Sequence, residues 1–414
     1  MKTPSGLRET LLALTIELSA KVGLERLSLR QIATAAGVST TAIFQNFNDK
    51  ADLLAAAVNR AIALDDALHR QLEKDVFPLV SGHLGFADFM ATTIELHATR
   101  CEARFLSEVL VKLRDHPQCA DALAIWHRNH IAFWQGLLDR LAVPAGFAGI
   151  VARYAFMEGI YAHAMLGQGT YRMLLLETCR ALCDAGFNGG GSANLRSDAS
   201  ALLDTTPFAV HGPDQREGNQ PVAEQLLDAA VGIINHSGMR SLNQRALAAK
   251  AGVSGSLIAY HFGDMKTLTI QAIWRALVQG IPSQLDPSGD LSSFPTSLED
   301  WLAILEAMLE VGKDGTDAGF YISVSQLSAE ACFLVGENPQ LMPLVNYLRG
   351  LEGWGTFRVS QSIPPIAEHI RRDHAAAFGV WIKGEALLRN AGIDTGQEDT
   401  IPVWSAARML FPTL

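Results

Sequence analysis

Two stretches of this 414-residue chain have the residue types and spacing of a recognition chemistry. They are Leu27 to Asp52 (LSLRQIATAAGVSTTAIFQNFNDKAD) and Leu242 to Thr267 (LNQRALAAKAGVSGSLIAYHFGDMKT). Each reads as two short helices joined across AGVS, a helix-turn-helix. In such a unit the second helix can lie in the DNA major groove while the first crosses the backbone. Charge agrees with this. The chain carries a net −10, yet residues 1–60 hold seven Lys/Arg against five Asp/Glu, and residues 221–280 hold five against three. Only the two repeated stretches are relatively basic, as expected if only they meet phosphate. Covalent chemistry lacks such support. No Gly-rich phosphate loop, Ser-His-Asp arrangement or H-E-x-x-H occurs, and His127, Asn129 and His130 offer no triad or metal spacing. The expectation is a protein with no catalytic residues, no cofactor and no metal.

The five cysteines, at 101, 119, 179, 183 and 332, are odd in number and scattered, which fits reduced cytosolic thiols rather than a disulfide framework. Cys179 and Cys183 stand at i, i+4 on a predicted helix without partner ligands and read as buried thiols. The early LLALTIEL run is interrupted by Glu9 and Glu17 and lacks a small-residue cleavage site, so it reads as an amphipathic helix. No uncharged apolar run approaches the roughly 18 residues of a membrane span. A cytoplasmic protein with no membrane partner is expected.

The elements that must position the two stretches are all helical. Leu7, Leu11, Leu14 and Leu18 recur at helical spacing, and Gly23 stops that helix. Ser28 is placed to cap a second helix ending near Ala36, Gly37 to turn with positive φ, Ser39 to cap a helix from Thr40 to Phe47, and Asp49 to cap one from Lys50 to about Leu72. Further helices are predicted over 86–114, 119–141, 147–166 and 171–185, then, after Pro221 restarts the pattern, over 298–312, 317–336, 340–360, 366–390 and 401–411. Residues 188–220, rich in Gly, Ser, Asn, Asp and Pro, read as a linker.

The chain repeats itself. Between 23–53 and 238–268, 12 of 31 positions are identical without a gap. Asp-His-Pro-Gln at 115–118 answers Glu-Asn-Pro-Gln at 337–340, and Gly-Ile-Tyr at 159–161 answers Gly-Val-Trp at 379–381. This is a duplication of a unit of about 200 residues, too long in period for a solenoid. The expected organisation is a head over 1–60 (motif about 28–47), a helical body over 61–187, the linker, a second head over 221–280 (motif about 243–262) and a second body over 281–414.

AGVSTTAIFQNFNDKADL and AGVSGSLIAYHFGDMKTL resemble the tetracycline-repressor (TetR) family of bacterial regulators: Ala-Gly-Val-Ser, then an apolar-aromatic step to Phe, then Asp and Lys. The resemblance implies an all-α fold, each unit a three-helix head followed by a helical bundle. It also implies DNA contacts by Ser28, Arg30, Ser39, Thr40, Thr41, Phe44, Gln45, Asn46 and Lys50. In the second head the equivalents are Asn243, Arg245, Ser254, Ser256, Tyr260, His261 and Lys266. Gln and Asn can pair with adenine, Thr can meet a thymine methyl, and Arg or Lys can meet phosphate. Phe44 stands where the family usually has Tyr, and in the second copy Ala259 and Met265 replace the aromatic and the Lys. The two recognition helices therefore cannot read the same bases.

The resemblance further implies a pocket for a small, largely apolar effector in the bodies. Its candidate lining is Phe105, Trp126, His130, Trp134, Met157 and Tyr161 in the first, and Phe320, Tyr321, Trp354, Phe357 and Trp381 in the second. Each of these also reads as ordinary bundle core. The family works as a homodimer, so two linked copies imply an intramolecular pseudo-dimer in which 147–185 packs on 366–411. That sets the heads one DNA turn apart, about 34–36 Å, with further homo-oligomerisation left open. The expected function is a double-stranded-DNA-binding regulator, a repressor released by its effector on an imperfect palindrome. The rival is a small-molecule or protein-binding module with degenerate heads.

Overall fold

A computed structural model describes residues 4–113, 116–143, 146–188, 199–203, 221–278, 281, 295–312, 318–363, 370–393 and 401–411. Among these residues every regular element is helical. The first half runs α1 (Pro4–Val22), α2 (Leu29–Ala36), α3 (Thr40–Phe44), α4 (Lys50–Asp75), α5 (Gly82–Ala98), α6 (Cys101–Val111), α7 (Ala120–Asp139), α8 (Phe147–Met165) and α9 (Gly169–Asn188). A short α10 (Ala199–Leu203) lies against α9, and most of the linker falls outside the described residues. The second half runs α11 (Pro221–Ser237), α12 (Gln244–Ala251), α13 (Ser256–Phe262), α14 (Met265–Val278), α15 (Leu298–Ala307), α16 (Phe320–Leu334), α17 (Met342–Leu351), α18 (Trp354–Gln361), α19 (Arg372–Ala391) and α20 (Val403–Leu410).

Two expected helices are each divided. The predicted helix over 86–114 breaks at Thr99 and Arg100, where Arg100 takes an extended conformation before α6 and the Thr99 hydroxyl donates back to the Leu96 carbonyl. Its apolar period runs through the break, so periodicity alone does not reveal it. The predicted helix over 340–360 breaks at Glu352 and Gly353. Gly353 has φ 66°, and a Cβ there would stand 1.7 Å from the Ala375 carbonyl oxygen. The left-handed turn and the close approach of α19 both require glycine. α3 also ends at Phe44 rather than Phe47. The start of the helix expected from 366 lies outside the described residues up to 369.

The halves share one core. α8 packs on α19 and α16, while α9 packs on α19 and α20. Gly384 lets the α19 backbone meet α8, because a Cβ there would lie 2.2 Å from the Arg153 carbonyl oxygen. Within this apolar seam sit charges of both halves. Arg349 grips Glu158 with two bonds of 3.0 Å, Arg153 pairs with Glu385, and Lys383 meets Glu352 at 2.7 Å. No helix of the described residues is long and apolar enough to cross a membrane.

Candidate nucleic-acid interface

Each head is a scaffold of buried apolar residues that leaves one polar face outward. Leu11, Leu12, Ile32, Ala33, Ile43, Phe47 and Leu53 are buried in the first; Leu226, Ala230, Leu247, Ile258 and Leu268 in the second. Caps then fix the helix ends. Ser28 forms a reciprocal capping box with Gln31, and Ser39 Oγ and Asp49 Oδ1 accept from the backbones of Ala42 and Asp52. Asn243 takes the role of Ser28 in the second head, its Oδ1 accepting from Ala246 at 3.0 Å. Gly37 and Gly252 both turn the chain with positive φ, 70° and 66°.

The DNA candidates mostly occupy exposed positions. Arg30, Thr40, Thr41 and Gln45 are exposed, and Phe44 keeps 53% of its surface in water at the end of α3. Arg245, Ser254, Ser256 and Lys266 are exposed in the second head, and Tyr260 is 78% exposed. Each head thus has one solvated aromatic beside its polar face, an apolar contact point. Tyr260 stands edge-on to the half-buried His261, 4.9 Å between ring centroids. Ser254 and Ser256 share a hydroxyl hydrogen bond of 2.8 Å. The backbone N–H of Thr267 holds the Asp264 carboxyl, which caps α14, below the ordinary carboxylate range.

Two candidates carry local bonds that the residue pattern did not reveal. Asn46 is half-buried and its amide donates to the Ala42 carbonyl at 2.9 Å, so its donor side is occupied by its own helix. Lys50 Nζ donates to the Leu27 carbonyl at 2.6 Å, which ties the start of α4 to the segment before α2. Two of its three donors remain for an outside partner. Met265, half-buried, fills the equivalent place in the second head.

Each head is joined to its body in the same way. Glu108 on α6 accepts from the backbone N–H of Leu24 at 2.9 Å, and Glu330 on α16 accepts from that of Met239 at 2.8 Å. The preceding glycines, Gly23 and Gly238, both have φ 79°. Lys112 connects the two docking points, pairing with Glu25 of the first head at 3.1 Å and with Glu330 of the second body. Burial works against its charge, but Glu330 and Glu25 together hold its pKa above the ordinary lysine range. Arg26 adds an exposed bond to Glu337, again from first head to second body.

The effector candidates divide by half. In the first, Phe105, Trp134 and Met157 are packed into the core, Trp126 and His130 turn to Asp65, and Tyr161 donates to Glu352 across the halves. Burial, then the Glu352 charge, pushes the Tyr161 phenol well above its usual range. In the second half, Phe320, Tyr321 and Trp354 line a cavity at the α17–α18 break, with Glu352 and Lys383 at its polar end. Phe357 packs beside Trp354 and Trp381 is fully buried. The break creates this cavity, which explains why a continuous helical pattern concealed Glu352 and Lys383.

Fold and heads together define an all-helical protein with two helix-turn-helix units among its described residues. The family model described as bacterial regulatory proteins, tetR family, matches residues 11–57 and again 226–272, the two heads just described. The chain thus carries two tandem heads that match this family's model. No curated relative matches it.

Proposed function

We propose that this chain is a sequence-specific transcriptional regulator that presents two unlike heads to one imperfectly palindromic DNA site, as a covalently linked pseudo-dimer. One observation carries the reading: two matched heads, each with its polar and aromatic face exposed, are tied by equivalent glutamates to bodies that share a single core. The shared core fixes the heads relative to one another, which a bipartite site requires. Because α3 and α13 differ at every position facing outward, the half-sites are unlike.

A coupling route supports effector control of DNA binding, which we read as release of a repressor. The cavity at the α17–α18 break adjoins Lys383 and Glu352, and Glu352 also holds Tyr161 of the first half. A small, largely apolar effector with one polar end, seated there, moves the seam that sets head separation. The coupling needs about 1–3 kcal/mol to release DNA.

Salt-dependent binding to the DNA upstream of its own gene tests this reading. A specific complex whose affinity falls with salt supports it, and Arg30→Ala weakens that complex. A chain with no salt-dependent DNA binding contradicts it and favours the module with degenerate heads.

A further inference from the structure

α4, α5 and α7 bring three imidazoles onto one carboxylate inside the first body. Asp65 and His69 stand one turn apart on α4, His97 is at the end of α5, and His130 is in the middle of α7. Asp65 is 1% and His69 5% exposed. His130 Nε2 lies 2.7 Å from Asp65 Oδ2, and His97 Nε2 lies 3.3 Å from Asp65 Oδ1. The ligand-capable atoms of Asp65, His69 and His130 all fall within 4.8 Å of one another.

A single carboxylate cannot satisfy this set. Asp65 Oδ2 already accepts from the Trp126 indole at 2.8 Å as well as facing His130. His69 Nε2 is buried and has no hydrogen-bond partner among the described residues. A buried nitrogen without a partner costs about 1–3 kcal/mol, a cost that a bound ion would remove. A cation held by Asp65, His69 and His130 satisfies the orphaned nitrogen of His69.

The spacing agrees with a metal. Metal–nitrogen bonds of about 2.0–2.1 Å in a tetrahedron put neighbouring ligand atoms about 3.3 Å apart, and imidazole centroids about 5 Å apart. The three ring pairs here are at 5.1, 4.7 and 5.8 Å. The His130–Asp65 contact of 2.7 Å is shorter than that edge, and it lengthens by about half an ångström when an ion replaces the shared proton. The surroundings are those of a dry site: Phe133 stacks on His69 at 4.2 Å, and the Trp126 N–H fixes the carboxylate.

We propose that Asp65, His69 and His130 form a binding site for one divalent first-row transition-metal ion, with His97 holding the second carboxylate oxygen of Asp65. Two imidazoles and one carboxylate, with water completing the set, select zinc, cobalt or nickel over magnesium and calcium, whose preferred ligands are oxygens. The site is independent of whether the heads bind DNA.

Cobalt(II) is a suitable probe. The full chain, stripped with chelator and titrated with Co²⁺, is expected to bind one equivalent and to show the intense visible bands of a tetrahedral ion. His69→Gln and His130→Gln each abolish the bands while circular dichroism retains the helical spectrum. Trp126→Phe weakens binding about tenfold or more, and His374→Gln, in the second body, leaves it unchanged. Should the ligand variants fail to fold, Zn²⁺-dependent protection of His69 from diethylpyrocarbonate in the unsubstituted chain, read by peptide mass, gives the same test. A native chain without the bands overturns the proposal, as do bands that persist in folded His69→Gln, or His69 modification unaffected by zinc.

Discussion

Arg349 and Glu158 come from opposite halves of the chain, are fully buried, and meet through two parallel hydrogen bonds of 3.0 Å. A second pair crosses the same seam with the polarity reversed, Arg153 from the first half and Glu385 from the second. In these two pairs each half supplies one buried cation and one buried anion, and each meets its partner from the other half, Glu385 pairing with Arg389 of its own half as well. Such pairs contribute little net stability over apolar packing, but they penalise any arrangement that leaves one charge alone.

Arg349→Met is accordingly expected to lower unfolding stability by about 3–5 kcal/mol, because it strands the Glu158 carboxylate. Arg349→Met combined with Glu158→Leu should regain most of that loss. Urea denaturation followed by circular dichroism measures both. Equal losses in the single and double variants would show that the pair does not operate as a unit.

The heads were the most legible part of the sequence. Ser28, Gly37, Ser39 and Asp49 have short-range roles, each acting within four residues, and the structure places every one as a cap or a turn. The resemblance to a known family pointed to the same stretches. What remained hidden depends on contacts distant in sequence. Glu352 gains its position from a helix break forced by α19, and Lys112 lies 218 residues from Glu330. The Asp65 cluster is hidden in the residue pattern because His69, His97 and His130 lie on three different helices. The i, i+4 pair Asp65 and His69 was the available signal, since such a pair shares one helix face.

Lys50 is bonded inward and also reaches solvent. Its bond to the Leu27 carbonyl steadies the first head, and its remaining donors suit a phosphate. Lys50→Ala should weaken DNA binding and reduce the salt slope by about 1, whereas Lys266→Ala should cost less. An unchanged slope in Lys50→Ala would restrict this lysine to holding the head together.

Glu330 connects the second head both to its own body and to Lys112. Glu330→Ala removes a charged acceptor from the Met239 amide, a bond worth about 1.5–3 kcal/mol. Amide exchange of Met239 and its neighbours is expected to accelerate by at least about tenfold, with a smaller effect on the first head, which Lys112 links to Glu330. Glu108→Ala should do the reverse, releasing Leu24. Equal acceleration of both heads by either variant would contradict separate docking.

Thiol reactivity should single out Cys101, the one half-buried cysteine of the five. Burial pushes Cys119 up to about 11 and Cys332 up to about 12, and raises Cys179 and Cys183 further from their ordinary range. In native protein at neutral pH, a thiol reagent is expected to label one site per chain quickly and the other four only on unfolding. Fast labelling of Cys179 or Cys183 would mean that the α8–α9 side of the core opens.

The central claim is that one chain brings two unlike heads to one DNA site. Light scattering of the complex formed on the DNA upstream of the chain's own gene tests it most directly. The account predicts one chain of 44.7 kDa per DNA duplex, with footprints over two unlike half-sites one helical turn apart. A complex holding two chains on that duplex, four heads in all, would contradict it.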